Sequence, residues 1–301
     1  SAPRMSRLLK HSTVYGASSI IKQLAGFLML PIYTRYLSPE DYGVVGLLTF
    51  CLALMEVFFG ARLIAAVPKF YFAAKGIREK NAVIFSALLI TALISTVATG
   101  FIFSYREPAA AFIFGKQDLA LVVGLFSTLL VSQEIESYGF SFLRIQQRPI
   151  SFFIFSISKL VVQISFNVYF VIYKDMGVLG VASSAMCSSF LFASILLAYT
   201  LKKTGISFNS KIIVEMIQFC WPLWIGNLAA LYIGSANRIF IKNYSSLEAL
   251  GQFELAVKFS VIISALAWQP FSQFWDVERF KVIEQENQKA VFKAVSLGIS
   301  T

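Results

Sequence analysis

Among the charged residues that fall inside long apolar runs of this 301-residue chain are Lys22, Glu56, Glu134, Lys159, Arg238, Glu254 and Lys258. A charge at the centre of a membrane helix costs roughly 2.5–3.5 kcal/mol on insertion scales, so such groups face water or a partner. Residues near the end of a run escape by snorkelling to the interface. Lys22 lies ten residues into its run, about 15 Å deep by helical rise, where snorkelling does not reach. Its helical face carries Tyr15, Ser18, Ser19 and Gly26. That stripe lines a polar cavity, or else Lys22 forms a buried pair with Glu56.

Lys159, Gln163 and Asn167 recur every four residues, with Ser156 one turn earlier. They make one continuous polar helical face. It lines a wet cavity, or it is a seam of interhelical hydrogen bonds worth roughly 0.6 kcal/mol each. Glu254 and Lys258 stand at i and i+4, where carboxylate and ammonium meet, and Lys258 alternatively turns toward an anion. Asn227 and Arg238 are almost three turns apart on one face, above a bend expected at Pro222. Arg238 snorkels outward or faces inward, where its planar fork suits a diphosphate better than a lysine does. Arg62 reads as interfacial. Glu134 and Glu136 diverge, so at most one shares a cavity with Lys22. Glu56, Glu134 and Glu254 are candidates for a coupling proton or sodium ion, since burial raises a carboxyl pKa and a nearby lysine opposes the rise.

The elements that must position these groups follow from composition. The chain is 57% hydrophobic and 14% charged, against 45–50% and 25% for soluble domains. One water-soluble core cannot bury that excess, so the lipid bilayer is its solvent and partner. Cys51, Cys187 and Cys220 sit in apolar runs and His11 is the only histidine. That pattern supports neither a disulfide framework nor a metal site, and no cofactor is expected. The longest connections, 68–81, 105–118 and 276–289, hold no Asp-x-Asp, no Ser/His/Asp set and no phosphate-binding glycine loop. A membrane glycosyltransferase is therefore disfavoured and a non-enzymatic role expected. A channel would need a repeated filter segment, which is absent.

Eight apolar stretches are long enough to cross about 30 Å of hydrocarbon. They are 12–36, 42–67, 82–104, 119–142, 151–173, 177–200, 213–241 and 252–275, and a ninth starts near Ala290. The residues before Met5 read as an expression remnant. With the N-terminus in the cytoplasm, sixteen basic residues fall in inner segments and five in outer ones, as the positive-inside rule requires. Topology thus accounts for most of the net charge of +10, and no nucleic acid is needed. Ser38-Pro39-Glu40-Asp41-Tyr42-Gly43 matches Ser246-Leu247-Glu248-Ala249-Leu250-Gly251, each in the turn before an aromatic-rich span. Six spans separate the copies, so both units enter the membrane in one orientation, as in transporters built from parallel repeats. The expected fold is an all-α integral membrane protein, a multi-span helical bundle of two parallel-repeat lobes with the second incomplete. Residues 1–11 are the remnant and cytoplasmic N-terminus, 12–200 a six-span lobe, 201–212 a cytoplasmic linker and 213–301 a partial second lobe.

The run from Ser12-Thr13-Val14-Tyr15-Gly16 through Leu30-Pro31-Ile32-Tyr33-Thr34-Arg35-Tyr36-Leu37-Ser38-Pro39-Glu40-Asp41-Tyr42-Gly43 resembles the first hairpin of O-antigen type polysaccharide flippases. These belong to the multidrug/oligosaccharidyl-lipid/polysaccharide exporter superfamily, and Pro68-Lys69-Phe70-Tyr71-Phe72 extends the likeness. The resemblance implies twelve or fourteen helices in the complete protein. It implies a bacterial inner-membrane flippase that turns an undecaprenyl-diphosphate-linked oligosaccharide from the cytoplasmic to the outer leaflet by alternating access. It further implies a basic residue facing the cavity from the first helix, here Lys22, and polysaccharide polymerase machinery as a partner. A hydrated cationic path at mid-depth would comprise Lys22, Lys159, Lys258 and Arg238, with Gln163, Asn167 and Asn227. A drug/cation antiporter of the same superfamily is the competing expectation. It would need an acidic, aromatic-lined cavity, and the basic spans match that poorly.

Overall fold

The computed structural model describes residues 30–59 and 63–264. Among them there is no strand, and the helices run in chain order as α1 (Leu30–Tyr36), α2 (Pro39–Phe59), α3 (Leu63–Ala73), α4 (Ile77–Ser104), α5 (Arg106–Phe114), α6 (Ala120–Ile145), α7 (Pro149–Asn167), α8 (Gly177–Thr204), α9 (Ser210–Ser235), α10 (Asn237–Tyr244) and α11 (Leu247–Ile263). A π-helical segment, Val168–Tyr173, continues α7. Six of these helices, counting α7 with its extension, are long and apolar enough to span a bilayer: α2, α4, α6, α7, α8 and α9. The chain is a multi-pass membrane protein of all-α class.

Local chemistry sets the boundaries. Ser38 and Asp41 form a reciprocal cap at the start of α2, Ser38 Oγ accepting from Asp41 N–H at 3.1 Å and the Asp41 carboxylate accepting from Ser38 N–H at 2.8 Å. Pro39 follows at the first helical position, where its missing N–H costs nothing. Asn209 caps α9 by accepting from Lys211 N–H and Ile212 N–H. Gly115 and Gly205, with φ of 72° and 67°, end α5 and α8 in the left-handed region.

One expected span is interrupted within the described residues: the run 213–241 breaks at Ala236 into α9 and α10. Hydropathy cannot register the break, because the residues around it remain apolar. In the run 42–67, α2 is described to Phe59 and α3 from Leu63, and Arg62 lies outside the described residues. The expected spans 12–36 and 252–275 lie partly outside them as well.

The interior sets small and hydroxylated residues among buried Leu, Val and Phe, and the small ones let helices approach closely where lipid supplies no hydrophobic drive between them. Gly139 of α6 lets Leu196 of α8 come so near that an added methyl would sit 2.6 Å from Leu196 Cβ. Buried Thr91 and Tyr138 share a hydrogen bond of 2.9 Å between α4 and α6. At one end of the bundle Lys116 bonds Glu40. At the other, Asn209 N–H donates to Ser86 Oγ at 2.8 Å and Tyr199 donates to Gln146 at 3.0 Å. By contact the chain divides into two compact units, Ser1–Leu255 and Ala256–Thr301.

Candidate functional site

The polar face of α7 turns inward. Ser156 is fully buried, and the Lys159 ammonium donates to Glu136 of α6. The Lys159 side chain is 19% exposed and that of Glu136 5%, so this ion pair is nearly dry. Two turns on, Asn167 is buried and its Oδ1 accepts from Ser184 of α8 at 2.6 Å, while Tyr33 of α1 also hydrogen-bonds it. Gln163 lies between them, half-buried. The fourfold spacing therefore places its two ends in interhelical bonds. Its one missed feature is the partner Glu136, since nothing in the spacing of Glu134 and Glu136 says which would face α7.

A second charged cluster lies where α10 meets α11. Arg238 Nη2 donates to Glu254 Oε2 at 3.2 Å, and Nε stands 2.5 Å from Oε1 in an ion-pair contact rather than an aligned hydrogen bond. The side chains are 16% and 10% exposed. The i,i+4 spacing to Lys258 did not announce this partner for Glu254. The break at Ala236 supplies it, because Arg238 then belongs to a separate helix and no longer continues the face of Asn227. Asn227 bonds its own helix instead, donating to the Leu223 carbonyl at 2.9 Å.

Glu254 also rests on α2. A methyl group at Gly46 would overlap Glu254 Cγ and lie 2.9 Å from its Oε1. Nearby, a methyl at Gly43 would overlap the Leu247 carbonyl, and one at Gly251 would overlap the Pro39 carbonyl and lie 3.1 Å from Gly43 N. The matching turns found in the sequence thus touch each other, backbone against backbone.

Among the other expected site residues, Glu56 and Glu134 are half-buried on α2 and α6. Lys258 is half-buried within the second compact unit. Lys22 lies outside the described residues. No group of histidine, cysteine, aspartate and glutamate able to hold a metal occurs among the described residues. An open cavity of about 490 Å³ lies between α3 and the end of α6, lined by Ile64, Ala65, Pro68, Phe72, Ser141, Arg144, Ile145 and Gln147. None of the expected site residues that are described borders it.

Comparison with known proteins places this geometry in a lineage. Two solved structures share the fold. One, described only as "protein A", superposes with a TM-score of 0.70 at 15% identity, over 86% of this chain and 61% of its own. The other is described as the inward-facing conformation of a multidrug resistance MATE family transporter of the MOP superfamily. It gives a TM-score of 0.57 at 16% identity, over 85% of this chain and 59% of its own. The chain therefore spans about three fifths of the length of either. No curated protein matches it by sequence. The profile described as "Polysaccharide biosynthesis protein" matches residues 8–273. With that match over most of its length, the chain, an all-α bundle with charged pairs inside it, belongs to the polysaccharide biosynthesis protein family.

Proposed function

We propose that the protein is a flippase carrying an undecaprenyl-diphosphate-linked oligosaccharide from the cytoplasmic to the outer leaflet of a bacterial inner membrane by alternating access. The N-terminus is cytoplasmic, and the polymerase machinery of polysaccharide synthesis receives the cargo. The family match over residues 8–273 carries this reading. The chemistry agrees with it. A diphosphate and its sugars cannot cross hydrocarbon bare, so the path must offer cations at depth while the prenyl tail stays in lipid.

Lys22, Lys159, Arg238 and Lys258 are the proposed cations, with Gln163, Asn167 and Asn227 as neutral hydrogen-bonding partners. Lys159 and Arg238 rest on carboxylates here. For them, binding is an exchange in which phosphate oxygens replace a carboxylate, which keeps the cation paired throughout. Glu56, Glu134 and Glu254 are the proposed coupling sites for a proton or sodium ion. Residues 12–200 and 213–301 would belong to the two lobes.

A leaflet-access assay in proteoliposomes with lipid-linked oligosaccharides tests the proposal. Lys22→Ala should abolish translocation, and unchanged translocation would refute the cationic path. The structural likeness to a multidrug transporter favours one second reading, an antiporter of organic cations. Drug efflux sensitive to Lys22→Ala, with no effect on the glycolipid, would establish it.

A further inference from the structure

The open cavity between α3 and the end of α6 has two unlike walls. On α3, Ile64, Ala65, Pro68 and Phe72 recur at helical spacing and form an unbroken apolar face. The other side of α3 is already occupied, since Leu63, Ala66 and Val67 are buried in one cluster with Val83 and Ile84 of α4. From Ile64 to Phe72 the apolar wall runs about 12 Å along its helix. Phe72 and Gln147, at the ends of the two helices, both line the cavity. It is therefore a groove that opens at the end of the bundle and continues inward beside apolar side chains.

The α6 wall carries polar groups that the fold leaves without partners. Ser127 and Ser132 bond carbonyls of their own helix. The Ser141 hydroxyl, the Arg144 guanidinium and the Gln147 amide make no hydrogen bond or ion pair among the described residues. Ser141 is nonetheless only 5% exposed. Gln147 holds φ at 52°, a conformation that glycine takes at Gly115, so a side chain is kept where none is favoured. The turn is fixed, because the N–H groups of Gln147 and Arg148 donate to the carbonyls of Arg144 and Leu143, both at 3.0 Å. Arg144 is the one charged residue among those lining the groove, and no carboxylate lines it.

We propose that this groove binds one anionic phospholipid, with its phosphodiester on Arg144, its headgroup hydroxyls on Gln147 and Ser141, and an acyl chain along the α3 wall. Charge selects the lipid class. One guanidinium balances one phosphodiester, and its planar fork takes two phosphate oxygens. A zwitterionic headgroup would bring an ammonium beside Arg144 with no lining carboxylate to receive it. A prenyl diphosphate carries more negative charge than one arginine neutralises. Depth agrees, since Arg144 stands one residue before the end of α6, at headgroup level, while the apolar wall reaches inward from there. Basic pockets between membrane helices hold phosphate headgroups in this way. Neither Lys159–Glu136 nor Arg238–Glu254 contributes to the lining, so the site does not depend on what the protein carries.

Native mass spectrometry of the detergent-purified chain tests the site, with separate titrations of phosphatidylglycerol and phosphatidylethanolamine of matched acyl chains. One phosphatidylglycerol should bind about tenfold more tightly, the difference being the ammonium that Arg144 repels. Arg144→Gln should weaken phosphatidylglycerol about tenfold and abolish the preference. Arg148→Gln removes a neighbouring cation that does not line the groove and should leave the preference intact. Ala65→Trp fills the apolar wall and should weaken both lipids. Ala65, Arg144 and Arg148 are all exposed, so the variants keep the packed interior, and helicity checks their folding. Absence of a preference in the parent would overturn the site, as would equal losses in Arg144→Gln and Arg148→Gln or full binding by Ala65→Trp. A third titration uses undecaprenyl diphosphate. Tighter binding than phosphatidylglycerol, lost in Arg144→Gln, would overturn the phospholipid assignment and give the groove to a prenyl diphosphate.

Discussion

The turn before α2 and the turn before α11 begin with the same chemistry and are restrained in opposite ways. Each serine hydroxyl accepts from the backbone N–H three residues on, Ser38 from Asp41 at 3.1 Å and Ser246 from Ala249 at 3.0 Å. Only the first turn returns the bond, because Asp41 has a carboxylate where Ala249 has a methyl. Glu40 is tied to Lys116 at 2.6 Å, whereas its counterpart Glu248 has no ion pair among the described residues. One turn deeper the asymmetry reverses, since Glu254 carries a charge held by Arg238 and its counterpart Gly46 has no side chain. The first turn is pinned from outside their contact and the second from within. Of the two matching turns, one thus has an anchor and the other a charge.

Removing the inner restraint gives the largest effect. Arg238→Ala strands a buried carboxylate, and loss of one member of such a pair costs about 3–5 kcal/mol. Reversible denaturation in mixed micelles should show that loss, and Arg238→Leu combined with Glu254→Leu should recover most of it. Lys159→Ala strands Glu136 and should destabilise by a similar amount, about 3–5 kcal/mol.

The outer restraint is weaker. Ser38→Ala removes one half of a reciprocal cap and should cost about 1 kcal/mol. Ser246→Ala removes a single cap bond and should cost about half as much, near the lower end of the range for caps. Both are readable in the same denaturation experiment. A larger loss at Ser246 would mean that the second turn depends on its cap more than on Glu254.

Much of this was legible before any coordinates, and the limits have physical causes. Apolar length located the six spans found among the described residues, because a bilayer sets a fixed thickness to cross. The two matching turns were visible as a pattern of serine and glycine, yet their mutual contact was not. A backbone crossing leaves no signature except absent side chains, and glycine at a turn has commoner explanations. Lys159, Gln163 and Asn167 were visible as one face, because a helix repeats every 3.6 residues. Which carboxylate would answer Lys159 was not, because the rotation of α6 about its own axis is fixed by packing at Gly139 and Tyr138, far from Glu136 in chemistry if not in sequence. The Arg238 pair was hidden for a different reason. A helix break within an apolar run changes direction without changing hydropathy, and the pairing depends wholly on that change.

The smallest expected effect concerns Lys116 and Glu40, at the exposed rim of the first turn. The hydrogen bond and charge of Glu40 raise the Lys116 pKa above its ordinary value. A lysine whose folded pKa is raised adds stability that is fully present below its unfolded pKa and lost as pH rises through the folded one. The contribution is therefore intact at neutral pH and disappears only in strongly alkaline solution. Both side chains are about half exposed, at 51% and 48%, so solvent and salt screen the pair heavily. Lys116→Met should accordingly leave the denaturation midpoint nearly unchanged at pH 7, and any difference from the parent should shrink with added salt and vanish above the lysine pKa. If instead Lys116→Met destabilises the protein as much as Arg238→Ala does, the anchor of the first turn counts as much as the charge of the second, and the contrast between the two turns fails.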